Sequence, residues 1–355
     1  MVKRKVIKTK KSEDQLKYEK STFLVPIKKT VPKAPSRRTP SIKLPAYMCF
    51  RIKEGTKTLI IYMMEQEGIS NEKNFVNNST SDNNMQEDNA AFEGWAICLK
   101  AWLSDKIERV ILKWDVPNCQ SEEKTLHYNR FLYRVLRFSE YYNWFGVDET
   151  NIRSVNEFSG SLCGLSNNCF SDIPRLKEGN NKTKLCETVV EYMLANYFSS
   201  TIKSFYQLDL IDRQFPVGVK KNGKQFFTGN MSAIDLWGIK DKILTIIELK
   251  YNGESSSNIK VGIISELFMY SCIMHDIIKG IIAPSDNTPN ENEQRFYNNC
   301  KSFEMIHAEM LSDKFHPLLD NDRVIELLNA RKSLDNIKII YRKTKYKVNE
   351  LVSFI

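Results

Sequence analysis

The sequence predicts an α/β protein, and three features carry that expectation. Segments of helical periodicity alternate with short, apolar, β-prone runs. Two of these runs, 231–240 (MSAIDLWGIK) and 243–251 (ILTIIELKY), are joined at Lys240-Asp241-Lys242. A third region, 215–227 (FPVGVKKNGKQFF), places two short β runs around Asn222-Gly223, the dipeptide that suits a hairpin turn with positive φ at both central positions. The 355 residues fit two domains, or one large domain with insertions, and a hydrophobic fraction of 42% is enough for a true core.

Residues 1–45 hold 14 Lys and Arg against 3 acids and five of the eleven prolines, so they are expected to form a basic, mostly disordered tail. The net charge of +9 resides there, because the remainder sums to −2. Such an arm would raise affinity for nucleic acid by counterion release, or serve only as a solvated extension. Residues 46–175 are expected to form an accessory α+β domain. Its strands come from 47–64, around a Glu-Gly turn whose second run equally suits the start of a helix, and from 107–114. Its helices come from 90–103, where Phe92, Trp95, Leu99 and Trp102 recur at helical spacing, and from 122–142. In the second helix Arg130, Arg134 and Arg137 share one face, suited either to a phosphate backbone or to plain solvation. Asn- and Ser-rich 69–90 reads as a loop, and 146–180 as the boundary between the domains.

The C-terminal domain, 176–355, has the order α-β-β-β-α-β, a mixed sheet flanked by helices. A helix over 182–198 leads to the hairpin and the strand pair. A helix from Ile259 to His275 and a strand at 279–284 follow. A strand at 303–311, a helix within 321–334 and a strand or hairpin at 337–348 extend the same domain; the last carries Arg342, Lys343, Lys345 and Lys347. The most apolar stretch, 261–282, is interrupted by Glu266, His275, Asp276 and Lys279, which suits core and not a membrane span. The basic N-terminus has no apolar region behind it to make a signal peptide. Eight cysteines without a Cys-x-x-Cys pair suit reduced thiols in a cytoplasm better than disulfides or zinc.

The chemistry is expected on the strand pair. Asp235 lies on the first strand, and Glu248 and Lys250 share one face of the second. Two carboxylates brought together in a β-rich core, with no Arg at either position, call for a cation. Hard oxygen ligands suit Mg²⁺, with Mn²⁺ as a substitute, and Lys250 beside the ion would hold or activate water. Asp235 followed at a spacing of thirteen by Glu248-Leu249-Lys250 at the end of an apolar run resembles the signature of the PD-(D/E)XK nuclease superfamily, over about residues 180–285. Glu122-x-Lys124 repeats the short motif in a polar setting without a strand, so it is the context that carries the likeness. Ile234 stands where the family's Pro would be.

The resemblance implies a restriction-endonuclease-like core and direct attack of water on a DNA phosphodiester, leaving a 5′-phosphate. It implies metal held by Asp235, Glu248 and the Leu249 carbonyl, and a further Glu from the preceding helix: Glu187, with Glu191 in reserve. One branch of the family carries Gln-x-x-x-Tyr in the helix after the lysine to orient substrate; here Glu266 and Tyr270 occupy those places. Bacterial defence against phage, restriction or repair would be the setting, with DNA and either a second copy or a defence-system protein as partners. A non-catalytic nucleic-acid- or protein-binding module and an RNA-directed nuclease are the alternatives. His307 and His316 lack identifiable partners and read as structural, and Trp237 and Tyr251 read as core before base-stacking residues.

Overall fold

In the computed structural model, residues 11–31, 42–63, 88–117, 122–167, 185–228, 232–253, 259–284, 290–348 and 352–354 are described. The first departure from expectation is at the N-terminus. Ser12 caps helix α1 (Glu13–Glu19), which runs through a wide π turn at Lys20–Leu24 into α2 (Val25–Thr30). Pro26 has no N–H to donate back along the helix, and the wide turn precedes it. Glu19, Phe23 and Ile27, at successive i+4 positions, form the buried face, so disorder does not hold for 11–31. Helix α1 covers a sheet edge with side chains: Phe50 N–H donates to Glu19 at 2.9 Å, Gln15 donates to Phe50 O at 3.1 Å, and Ile52 N–H donates to the Tyr18 hydroxyl at 3.0 Å. Composition missed this because the binding groups are polar. Residues 1–10 and 32–41 lie outside the described residues.

The chain divides into two units: Met1–Ser161 with Lys260–Ser265 and His316–Lys332, and Leu162–Ile259 with Glu266–Phe315 and Ser333–Ile355. The boundary therefore falls near 161 and not 175, and the helix Arg323–Asn329, expected in the second domain, counts with the first. In the first unit, β1 (Met48–Ile52) pairs antiparallel with β2 (Thr58–Met63) as the turn predicts. Beyond α3 (Phe92–Trp102), β3 (Arg109–Trp114) joins in parallel; after α4 (Glu122–Tyr141), β4 (Phe145–Val147) does the same. The stretch 146–180, expected as the boundary, begins with the end of β4 and a helix, α5 (Glu149–Ser159), capped by Asp148. Most of the 69–90 loop lies outside the described residues, as does 168–184.

The arginine row of α4 is not a solvent face. Arg134 is fully buried and forms a two-pronged ion pair with Glu93 of α3, 2.7 Å on its Nε side, and donates to Ala90 O at 2.8 Å. Arg130 is buried beside His127, and Arg137 pairs with Glu140 at 2.8 Å. Helical spacing correctly gave them a common side, but that side packs on aromatic rings such as Phe92, 5.1 Å from the Arg134 guanidinium. Arg134 has no exposed surface with which to meet a phosphate backbone.

The second unit begins with β5 (Leu165–Asn167), then α6 (Glu187–Asn196) and α7 (Ser199–Tyr206). Strand β6 (Leu210–Pro216) follows, then the hairpin of β7 (Val219–Lys221) and β8 (Lys224–Gln225), where Asn222 and Gly223 take φ of 52° and 76° as the turn requires. Next come β9 (Ala233–Lys240), β10 (Ile243–Lys250), α8 (Gly262–Ile278), β11 (Ile282–Ala283), α9 (Glu291–Asn299), β12 (Met305–Ser312), β13 (Lys338–Val348) and β14 (Val352–Phe354). The main sheet has the order β14-β13-β12-β10-β9-β6. Strands β6, β9 and β10 are antiparallel neighbours, while β12 and β13 run parallel to β10.

The elements of this unit are not those that the α-β-β-β-α-β reading expected. The unforeseen β6 is the first core strand, the Asn-Gly hairpin belongs to a small sheet of order β11-β5-β7-β8, and the strand at 282–283 joins that sheet. The core strand after α8 is β12. The whole is mixed α/β with several mixed sheets flanked by helices. Among the described residues no helix is long and apolar enough to cross a membrane.

Candidate active site

The end of β10 places the site. Along this strand Ile247 and Leu249 point into a core with Leu236, Ile211, Leu311 and, from α6, Val190 and Leu194. The alternate positions, Glu248 and Lys250, therefore point the other way. Both are buried, and the Lys250 ammonium lies directly against Glu248 Oε1. It also donates to the Leu249 carbonyl at 3.0 Å and lies 3.5 Å from both Glu187 Oε1 of α6 and Glu266 Oε2 of α8. Strand, preceding helix and following helix each send a carboxylate to one ammonium.

Asp235 completes the group from β9. Pairing of β9 with β10 ends at Leu236 and Ile247, and the Asp235 carboxylate then takes the place of a ladder acceptor, receiving Leu249 N–H at 2.8 Å. It retains some exposed area, yet protein surrounds its carboxyl, and that burial pushes its pKa up to about 7. Lys250 pulls the value down, Glu187 and Glu266 push it up. Glu248 is raised by burial first, then by the charges of Asp235 and Glu266. Burial works against the charged form of Lys250, but the surrounding carboxylates outweigh it and hold the pKa above the ordinary lysine value. The carboxylates around it thus favour the charged form of Lys250.

Charge does not balance. Asp235, Glu248, Glu187 and Glu266 supply four carboxyl groups to one lysine, and neither Glu248 Oε2 nor Glu266 Oε2 has a hydrogen-bond donor among the described residues. Glu248 and Glu266 are within hydrogen-bonding reach of each other, and that contact adds to the rise of the Glu248 pKa. Tyr270, one turn along α8, donates to Glu266 Oε1 at 3.2 Å, and its phenol is raised well above the usual range by burial. The Glu-x-x-x-Tyr pair thus lies within the cluster.

The two glutamates of α6 divide. Glu187, at the helix start and part exposed, faces Lys250 and receives Tyr251 N–H at 3.4 Å. Glu191, buried one turn on, lies 3.6 Å from Arg213 of β6; burial and then the Asp235 charge push its pKa up to about 8. Sequence reasoning missed two neighbours. Arg213 is buried, with the Tyr192 ring 5.1 Å from its guanidinium. Gln214 occupies the register position opposite Asp235, between Arg213↔Leu236 and Phe215↔Ile234, but with φ of 56° it leaves the ladder and hydrogen-bonds Glu191. A left-handed non-glycine residue within a strand is strained, and here it is strained beside the acids. Nothing in the run LIDRQFP signals it.

Other expected residues fall elsewhere. His316 is buried, caps the turn at Leu318 and has its pKa lowered by burial to about 4. Trp237 is buried against Phe215, as core.

The donor set suits a hard divalent cation: oxygen ligands only, excess negative charge, and buried oxygens lacking donors. The oxygens are drawn onto the Lys250 ammonium, however, and among the described residues no three His, Cys, Asp or Glu side chains are gathered on a common point fit for a metal ion. The chain matches no protein-family model, no curated protein and no solved structure.

Proposed function

We propose that this chain is a metal-dependent nuclease that hydrolyses DNA phosphodiester bonds through a restriction-endonuclease-like core in its second unit. The supporting observation is the imbalance at the end of β10, where four carboxyl groups meet one buried lysine. A structural cluster would balance its charges, because each uncompensated buried charge costs several kcal/mol, of order 3–5 when a partner is missing. A site that gathers carboxyl groups in excess of its cations at that cost is suited to a cationic ligand that replaces their protons. Asp235, Glu248 and the Leu249 carbonyl would hold Mg²⁺ or Mn²⁺, which when bound acidifies water and offsets charge on the phosphate.

The chain's own groups divide the remaining work. Lys250, held protonated by its neighbours, cannot act as a base. Its role is to orient water through its N–H donors and to stabilise negative charge building on the phosphate oxygens. A proton acceptor must titrate near neutrality and stay off the metal, and Glu191 at about 8 does so. Glu191 is buried with Arg213, whereas Glu187 is at the open side, where it steadies Lys250 and the Tyr251 backbone. Glu266 and Tyr270 close the cluster from α8.

Cleavage of plasmid and linear DNA with Mg²⁺, Mn²⁺ or EDTA tests this reading, with matched RNA as comparison. Lys250→Ala and Asp235→Ala should each lower metal-dependent cutting by about 10²–10³-fold or more while the protein stays folded. Cutting that survives both substitutions would sink the assignment. A wild type that neither cuts nor binds Mn²⁺ would favour a non-catalytic module on the same sheet.

A further inference from the structure

The reverse face of the strands that carry Glu248 and Lys250 holds a second polar site. Leu236, Ile247, Leu249 and Leu311 make that face apolar beneath α6 and α7. Towards the start of β10 the same alternation yields Thr245, His307 of β12, Glu309 of β12 and Arg342 of β13. The register sets Thr245 beside His307 and Glu309 beside Arg342. These residues line a pocket of about 370 Å³, walled by Phe205 and Tyr206 at the end of α7, within the range of small-molecule sites.

A solvated sheet end would explain exposed polar residues, but Thr245 and Glu309 are each only 2% exposed. Glu309 accepts a hydrogen bond from Thr344, yet its Oε1 has no donor among the described residues. Burial pushes its pKa up to about 7, against the pull of Thr344 and Arg342. His307 is kept neutral, lowered to about 4 by burial and by Arg342. A buried carboxyl with an unused acceptor suits N–H donors from a ligand. Exposed Arg342 supplies a forked donor suited to phosphate. Phe205, 47% exposed, offers a face for a planar ring.

We propose that this pocket binds a guanine nucleotide, with Glu309 accepting from the base's adjacent ring N–H and amino group, the base against Phe205 and Tyr206, and Arg342 on the phosphate. Guanine presents two neighbouring donors to one carboxylate, whereas adenine presents an acceptor at the ring position, which leaves Glu309 unsatisfied. The site is independent of the nuclease assignment, since it uses other residues and another face of the sheet.

Calorimetric titration of the full chain with GMP, AMP and inorganic phosphate tests it. Saturable GMP binding is expected, with AMP and phosphate each weaker by about tenfold or more. Glu309→Gln should remove the preference for GMP over AMP, because an amide cannot accept from both donors. Arg342→Ala, on the surface and safe for folding, should weaken GMP by about tenfold. The proposal is overturned by no saturable binding at millimolar GMP, by equal binding of AMP, by phosphate binding as tightly as GMP, or by GMP binding unchanged in Arg342→Ala.

Discussion

Two buried ion clusters, one in each unit, use the same kinds of residue to opposite ends. In the first, Arg134 of α4 meets Glu93 of α3: one cation, one anion, two parallel contacts, and a backbone carbonyl for a further N–H. In the second, Lys250 faces Glu248, Glu187, Glu266 and Asp235. The first is closed and satisfied on its acidic side; the second carries surplus negative charge and donorless oxygens. Burial alone therefore does not mark a functional site. What separates them is the balance of charge, since a balanced pair has nothing left with which to hold a ligand.

The comparison breaks first at Arg134. Arg134→Ala leaves Glu93 buried and unpaired and should cost about 3–5 kcal/mol. Replacing both residues by apolar ones of similar volume, Glu93→Leu with Arg134→Met, should return most of that loss. Urea unfolding of the three proteins decides it. A double variant as unstable as Arg134→Ala would mean that the pair does more than neutralise itself.

The second cluster should respond with the opposite sign. Asp235→Asn keeps an acceptor for Leu249 N–H and removes one surplus charge. The metal-free protein should gain about 2 kcal/mol at pH 8, part of the cost of ionising that buried carboxyl, while losing its cutting. A fall in melting temperature would show that the carboxylate is structurally satisfied, as Glu93 is.

Sequence made one of these clusters legible and misread the other, for a physical reason. Alternation along 243–251 fixes Glu248 and Lys250 to one face, and the short turn brings Asp235 near, so the acids could be placed from spacing alone. Helical spacing likewise put Arg130, Arg134 and Arg137 on one side, but which side packs depends on a partner distant in sequence. The available signal was Glu93, a lone acid inside the apolar run AAFEGWAICL. Strand β6 escaped notice because Asp212-Arg213-Gln214 interrupts its alternation, and Arg213 is buried there against Glu191 and the Tyr192 ring. The N-terminal helix escaped because its grip on β1 is made by Gln15, Tyr18 and Glu19. Polar side chains acting on distant backbone leave no hydrophobic period to read.

The surplus charge also sets a pH dependence. Asp235, raised to about 7, and Glu191, raised to about 8, keep protons in the folded protein that the unfolded chain has already released. Stability therefore falls as pH rises through their folded values. Glu309, raised to about 7, adds to the same trend. His307 and His316, lowered to about 4, oppose it, but only below the unfolded histidine value near 6.5. Between pH 6.5 and 8 only the carboxyls remain, and the metal-free melting temperature should drop across that window. Millimolar Mg²⁺ should restore about 2–3 kcal/mol at pH 8 if its concentration reaches 100 times Kd, and less at pH 6, where protons compete. Asp235→Asn should flatten both trends. Equal Mg²⁺ stabilisation at the two pH values would separate the cation from these acids.

The smallest expected effect asks which carboxyl is dispensable. Glu266 already accepts from Tyr270 and lies within hydrogen-bonding reach of Glu248, so less of it is left to hold a cation. Glu266→Gln keeps an acceptor for the Tyr270 hydroxyl and gives Glu248 Oε2 the donor it lacks. The variant should be more stable by about 1 kcal/mol, the worth of one satisfied buried hydrogen bond. Cutting should stay within about tenfold of wild type, because Gln can orient Tyr270 as the acid does. A loss as deep as that of Asp235→Ala would instead place the Glu266 carboxylate among the groups that hold the cation, making the imbalance one acid larger than the reaction residues named here.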